Sequence, residues 1–234
     1  MWHAKPYGGY AIDSTEAKDN MDEIYAQLHN EGWTIEAICG MLGNMVAESG
    51  LNPWRWQDDS VSLTSDLKGY GLPQFTPAYG YIYDYGVGVT GYSPNLSVTE
   101  ETSGATPEDG YAQIIVINED KAGKFINRTS YCKYLDISST YPLSVYKVNS
   151  DLWVTTVGWL FNYEFPANRS YKVAEGRYAN AVSCYNYLSG QQPDPPPPKP
   201  PDPPKPPTPP TPPKPPTPTK RKTMPVWMIC HRWY

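Results

Sequence analysis

The stretch TIEAICGMLGNMVAESGLNPWRW, residues Thr34 to Trp56, carries a helical pattern of apolar residues. Thr34 has the side chain of a helix N-cap. Gly50 and the following Asn52-Pro53 end the pattern. The stretch therefore predicts a buried helix that ends in a loop with two tryptophans. At about 100° per residue, its apolar residues fall on one face of the helix. They are Ile35, Ile38, Cys39, Leu42, Met45 and Val46.

Glu48 lies at the border of this apolar face, in the last turn of the predicted helix and in line with Asn44. The partial negative charge of a helix C-terminus disfavours a carboxylate, so the protonated acid is favoured there. A protonated carboxyl group is what a general acid needs. Glu48 is therefore either a solvated charge at a helix end, which is common, or an acid held for catalysis.

Other segments with helical patterns make the predicted fold mainly α. Ser14 to Asn30 is amphipathic and stops at Gly32, and Asp151 opens an apolar segment that Pro166 ends. A capping pattern at TPED begins a third helix, and YKVAEGRYANAVSCYNYL forms the last one. Residues 57–103 lack a helical period and predict loops with short strands. We expect two lobes with a cleft between them.

Most of the 27 prolines lie near the end of the chain, in PDPPPPKPPDPPKPPTPPTPPKPPTP. This tract predicts an extended polyproline II spacer, with a P-x-x-P ligand for an aromatic groove as the alternative. The basic and aromatic end KRKTMPVWMICHRWY predicts a docking peg or a membrane-interface anchor. The predicted organisation is an arm at 1–13, a catalytic-size domain at 14–190, a proline-rich linker at 191–219 and a C-terminal peg at 220–234.

Composition argues against several classes of function. The net charge is −5 and the residues before the proline tract are acidic, which argues against nucleic acid as a partner. Four cysteines without a Cys-x-x-Cys pair and only three histidines give no metal-site spacing, so we expect neither a metal nor another cofactor. Cys39 and Cys184 are expected to be buried free thiols, with disulfides left open. No classical signal peptide and no membrane-spanning segment are predicted.

Three motifs in the same order resemble the phage tail lysozymes and, more distantly, the goose-type lysozymes and lytic transglycosylases. They are GWTIEAICGMLGNMVAESGLNPWRWQ, GYGLPQFTP and LFNYEFPANRSYKVAEGRYANAVSCYNYL, which together span most of residues 14–190. The resemblance implies a lysozyme-like α+β fold with a substrate cleft.

The resemblance also implies roles for individual residues. Glu48, in the E-S-x-x-N-P motif, is implied to be the catalytic acid. Pro73 and Phe165 depart from the family pattern, because an aliphatic residue is usual at the first position and arginine at the second. The G-L-x-Q motif falls on Gly71, Leu72 and Gln74, and the aromatic-Glu-x-Pro-Ala motif on Tyr163, Glu164, Pro166 and Ala167.

Further residues near these motifs are expected to contact substrate or to assist the acid. Glycosidases usually pair two carboxyl groups, and three acidic residues of the loop after Glu48 are candidates for the second. These candidates are Asp58, Asp59 and Asp66. The expected substrate-binding residues are Asn44, Ser49, Trp56, Gly71, Gln74, Tyr163 and Glu164.

The implied reaction is cleavage of the β-1,4 bond between N-acetylmuramic acid and N-acetylglucosamine in peptidoglycan, by hydrolysis or by transglycosylation. The implied location is a virion tail that opens the host cell wall locally as the genome enters the cell. Expected partners are glycan strands and, through the proline tract and the peg, other tail proteins. Two alternatives stay open: a catalytically silent wall-binding or structural tail module, and a free endolysin with the same chemistry.

Overall fold

The computed structural model describes residues 1–5, 7–57, 68–78, 81, 107–121, 123–128, 132, 134–135 and 141–190. The chain divides into a unit of Met1–Pro200 and a second unit of Pro201–Tyr234. The described residues do not include the second unit or the proline tract. They also leave out most of the loop region predicted at residues 57–103.

The described part of the chain is mainly helical, as the sequence predicts. Its β pairing consists of two isolated bridges, from Tyr70 to Trp56 and from Tyr70 to Phe75. The two-lobed shape stays a prediction. The helices are α1 (Thr15–Asn30), α2 (Ile35–Ser49), α3 (Pro107–Asn118), α4 (Leu143–Tyr146), α5 (Leu152–Trp159), a π-helical turn (Leu160–Glu164) and α6 (Tyr171–Ser189).

The helix ends lie close to the residues that the sequence marks as caps. The side chains of Ser14, Thr34 and Asp151 each accept a hydrogen bond from the backbone N–H three residues later. This contact satisfies one of the donors that a helix start leaves without a partner. At the other end of α2, Gly50 adopts a left-handed conformation with φ 60°, which glycine reaches without steric cost.

Helix α2 is the centre of the core and packs against α5 and α6. Its glycines allow close approach. A Cβ at Gly40 would lie 2.7 Å from the backbone carbon of Thr155 in α5, and one at Gly43 would lie 2.6 Å from the backbone nitrogen of Ala181 in α6. The backbones of α2 and α6 therefore touch one turn before Glu48, and this contact brings the side chains of α6 within reach of Glu48.

The N-terminal arm is bound to the end of α2 by hydrogen bonds from asparagine side chains. Asn52 donates to the carbonyl oxygens of Lys5 and Gly8, both at 2.7 Å. Asn20 of α1 donates to the carbonyl oxygens of His3, at 2.9 Å, and of Leu51, at 2.8 Å. The asparagine of the E-S-x-x-N-P motif thus fixes the loop that leaves α2.

Cys39 and Cys184 are buried free thiols, as expected, and Cys132 is a third. Burial raises the pKa of all three, to about 11 for Cys132 and about 12 for Cys184. Their reactive thiolate forms are therefore scarce at neutral pH. Separately, no helix in the described ranges is long and apolar enough to cross a membrane.

Candidate active site

A cavity of about 390 Å³ opens where the end of α2 meets the end of the π-helical turn. Its volume falls within the range of small-ligand sites. Most of its lining side chains are polar or charged, which suits a hydroxyl-rich ligand. The lining residues are Glu48, Arg55, Gln57, Gln74, Thr76, Glu164 and Pro166.

Glu48 forms an ion pair with Arg177 of α6 at the wall of this cavity. One guanidinium nitrogen of Arg177 donates to the Glu48 carboxylate. Another donates to the backbone carbonyl oxygen of Asn44 at 2.7 Å. The side chains of Arg177 and Glu48 are only 12% and 25% exposed, so solvent screens their attraction less than on an open surface. Arg177 therefore holds the Glu48 side chain in place at the cavity wall.

Glu164 is the second carboxyl group of the cavity, and its charge is disfavoured. Its pKa is raised from 4.5 to about 8, first by burial and then by the negative charge of Glu48. A hydrogen bond from the indole nitrogen of Trp159, at 3.1 Å, and the charges of Arg177 and Lys124 oppose this rise. At neutral pH Glu164 is therefore held as the protonated acid, beside the ion pair of Glu48 and Arg177.

The π-helical turn determines where Glu164 lies. The N–H of Phe165 donates to the carbonyl oxygen of Leu160 at 2.8 Å, a five-residue spacing that widens the helix at its end. The Tyr163 ring stacks on Trp159 with 4.2 Å between ring centres. With Tyr163 packed inward, the next residue, Glu164, faces the cavity. The sequence predicts a continuous helix up to Pro166 and does not indicate this change of spacing.

The G-L-x-Q segment forms a turn that supports the opposite wall. Gln74 lines the cavity, but its side-chain amide donates to the carbonyl oxygens of Gly71, at 3.0 Å, and Arg55, at 3.2 Å. Leu72 N–H donates to the side-chain oxygen of Gln113 at 2.7 Å, and Gln113 donates in turn to the carbonyl oxygen of Pro53 at 2.7 Å. These contacts tie the turn to the loop after α2.

Five of the residues predicted to bind substrate are buried in the structure, and their contact with substrate stays a prediction. Asn44 donates to the carbonyl oxygens of Gly40 and Thr156 at 2.9 and 3.0 Å, and so joins α2 to α5. The Ser49 hydroxyl donates to the Met45 carbonyl oxygen within α2. Because they face the core, these residues support the backbone around the site. The five are Asn44, Ser49, Trp56, Gly71 and Tyr163.

The structure brings Glu48, Gln74 and Glu164 together on one cavity. Asp58, Asp59 and Asp66 lie outside the described residues, so a second carboxylate among them stays a prediction. The sequence predicts substrate contact for Glu164 and does not indicate its pairing with Glu48, although the motif around Glu164 is recognisable. Arg177 lies within the third motif, but nothing in the sequence assigns it a role. The buried residues Ala174, Tyr178 and Ala181 of the same helix only place it beside an inward face.

Among the described residues, no group of three His, Cys, Asp or Glu side chains could hold a metal ion. The side chains that line the cavity supply carboxyl groups, a guanidinium group and amides. A protonated acid beside a carboxylate can donate a proton to a leaving oxygen and stabilise the positive charge that develops.

The chain is similar to a known protein family and to a curated phage protein. Residues 19–188 match the family model described as phage tail lysozyme. Morphogenesis protein 1 of Bacillus phage B103 is 49% identical over 71 residues, which are 30% of this chain and 19% of that relative. The chain thus spans under a fifth of the length of this curated relative. The family match includes every residue that lines the cavity, together with Arg177.

Proposed function

The chain belongs to the phage tail lysozyme family, and from this premise we propose that it cleaves the glycan strands of peptidoglycan. The family implies a glycan-cleaving enzyme, either a glycoside hydrolase or a lytic transglycosylase. The proposed bond is the β-1,4 link between N-acetylmuramic acid and N-acetylglucosamine. The observation that carries the proposal is the pair of carboxyl groups, Glu48 and Glu164, on one cavity.

The difference in charge between the two groups supports acid catalysis of glycoside cleavage. Departure of a sugar needs a proton on the glycosidic oxygen and negative charge near the oxocarbenium-like carbon. At neutral pH the protonated Glu164 meets the first need and the carboxylate of Glu48 meets the second. After the leaving sugar departs, the acid has become a base and can take a proton from the incoming hydroxyl group.

The proton belongs to the pair rather than to one residue. The negative charge of Glu48 raises the cost of ionising Glu164, so the proton on Glu164 depends on its neighbour. Family resemblance implies that Glu48 gives the proton to the substrate. The charges of the free protein favour Glu164 as the donor, because Arg177 contacts the Glu48 carboxylate directly. Glu48 acts at the reacting sugar under either assignment.

Hydrolysis is the reaction that two carboxyl groups favour. A second carboxylate can activate water or form a covalent intermediate, whereas internal attack by a substrate hydroxyl group requires only one. Released fragments with reducing ends would support hydrolysis. Anhydro ends would assign the protein to the transglycosylases.

We further propose that the protein works on a virion tail and opens the host wall locally as the genome enters the cell. The family and the phage relative support an association with a phage. The proline-rich linker at 191–219 would act as a spacer, and the peg at 220–234 would bind other tail proteins. Mass spectrometry of purified virions distinguishes this location from a free endolysin, because only a tail component is retained in the particle.

Turbidity clearing of purified cell walls tests the proposed activity. The wild-type chain should clear the suspension, and Glu48→Gln should not. Equal clearing by both would remove Glu48 from the mechanism. Failure of both on walls of several types would favour the silent wall-binding module.

A further inference from the structure

Two arginines lie against one aromatic ring beside the cavity. The guanidinium carbon of Arg169 lies 3.8 Å from the centre of the Phe165 ring, and that of Arg128 lies 4.1 Å from the same centre. Phe165 is the residue between Glu164 and Pro166, both of which line the cavity. The stack is therefore one peptide unit, about 3.8 Å between Cα atoms, from the cavity wall.

The backbone around the stack is held by contacts with the rest of the domain. Arg128 N–H donates to the side-chain oxygen of Asn162 at 2.6 Å. The Tyr134 hydroxyl group donates to the carbonyl oxygen of Arg169 at 3.3 Å. Phe165 itself has φ 44°, a left-handed conformation unusual for a bulky residue, and its N–H is bound to Leu160. The backbone at each of the three residues is thus held by the rest of the domain.

The charges of the stack are not neutralised within the described part of the chain. No ion pair there joins Arg128 or Arg169 to a carboxylate. Both guanidinium carbons lie within 4.1 Å of one ring centre, so they are less than twice that distance apart and repel each other. Stacking uses the face of a guanidinium group and leaves its N–H edge for an anion.

We propose that Arg128, Phe165 and Arg169 form an anion-binding subsite at the edge of the Glu48–Glu164 cavity. Its ligand is an oxyanion attached covalently to the glycan that the cavity holds. Two components of cell walls carry such groups: stem peptides, which have carboxylates, and teichoic acids, which have phosphodiesters. The inference rests on the proposed function, and it predicts that this enzyme prefers substituted glycan to bare glycan.

The test compares the wild-type chain with the double variant R128Q/R169Q on three substrates. These are intact cell walls, walls freed of teichoic acid by hydrofluoric acid, and glycan strands freed of stem peptides by an amidase. Lys172→Gln is the matched control, because it removes an exposed cation of α6 three residues from Arg169. Circular dichroism melts establish that each variant is folded.

On intact walls the double variant should have a KM raised roughly ten-fold or more, with kcat within about two-fold. The loss should vanish on the substrate that lacks the relevant anion. A loss that persists without teichoic acid and disappears without stem peptides assigns the ligand as a peptide carboxylate, and the reverse assigns it as a phosphodiester. The Lys172→Gln control should match the wild type throughout.

Two results would overturn the subsite: an unchanged KM on intact walls, or an equal loss on all three substrates. Co-sedimentation with each substrate, on the Glu48→Gln background, measures the same preference without cleavage. If the wild type cleaves none of the three, the proposed function fails, while sedimentation still decides whether the arginines bind the wall.

Discussion

Arg177 of α6 contacts the carboxylate of Glu48 at the end of α2, and the same guanidinium group holds the backbone oxygen of Asn44. The contact depends on Gly43, where the two helix backbones meet. It gives one of the two cavity carboxyl groups a fixed positive partner and leaves the other, Glu164, without a direct one among the described residues. The packing of α2 against α6 therefore gives the two carboxyl groups different electrostatic surroundings.

Replacing Arg177 should change the pH dependence of activity. Arg177 lowers the pKa of Glu164 and stabilises the Glu48 carboxylate. In Arg177→Gln the pKa of Glu164 should rise, because the positive charge that lowers it is gone. The alkaline limb of the rate profile should therefore move to higher pH. The rate at neutral pH should fall roughly ten- to hundred-fold, because Glu48 is no longer held. Arg177→Lys should recover part of the loss. A profile that scales down without shifting would mean that Arg177 only supports the fold.

Glu164→Gln should stabilise the protein at alkaline pH. The pKa of Glu164 is raised from 4.5 to about 8 on folding, so between these values the folded state binds more protons than the unfolded chain. The free energy of unfolding therefore falls as pH rises through this window. The glutamine variant does not ionise, so its free energy of unfolding at pH 9 should be about 1–3 kcal/mol higher than that of the wild type. The difference is smaller than the full linkage value because Glu164 faces cavity water. At pH 4 the two should match. Urea melts at both values measure the difference, and equal stability at pH 9 would contradict the assigned pKa.

An activated substrate should identify the proton donor. An aryl glycoside of the same sugar, whose leaving group departs without protonation, no longer needs the acid. If Glu164 is the donor, Glu164→Gln should cleave this substrate at a rate near that of the wild type, while Glu48→Gln stays inactive. The opposite pattern would return the donor role to Glu48, as the family resemblance implies.

Gly43→Ala should destabilise the domain. The added Cβ would lie within 2.7 Å of the backbone of α6 at Ala181, and overpacking of this kind costs about 1–3 kcal/mol. The matched control is Gly176→Ala in α6, where an added Cβ meets nothing within 4 Å. There the alanine should stabilise the helix by about 0.5–1 kcal/mol. Similar denaturation midpoints for the two variants would argue against the close contact of α2 and α6.

The helices could be predicted from the sequence because their signals are local. Ser14, Thr34 and Asp151 cap the helices that they precede in the chain, and Gly50 ends α2. The site was harder to predict from the sequence. A helical pattern locates Glu48 on an edge, but it does not reveal that a residue 129 positions later supplies the opposing charge. The π-helical turn that places Glu164 also depends on packing, here of Tyr163 on Trp159, rather than on any local preference.

The buried motif residues have a related explanation. Asn44, Ser49 and Trp56 lie beside the acid in sequence, and this proximity suggested contact with substrate. In the structure the Asn44 amide nitrogen and the Ser49 hydroxyl group donate to backbone oxygens, and the Trp56 ring packs against Tyr70 with 4.7 Å between ring centres. Side chains adjacent to a catalytic residue often hold its backbone, and a single sequence does not separate that role from binding.

The central claim is that Glu48 and Glu164 act as one catalytic unit, and the rates of Glu48→Gln, Glu164→Gln and the double variant on purified peptidoglycan test it most directly. Each single change should lower kcat/KM by a factor of about 100 or more, and the double variant should be little worse than either, as expected for groups that act together. Near wild-type activity of Glu164→Gln would contradict the claim, and so would losses that simply multiply in the double variant.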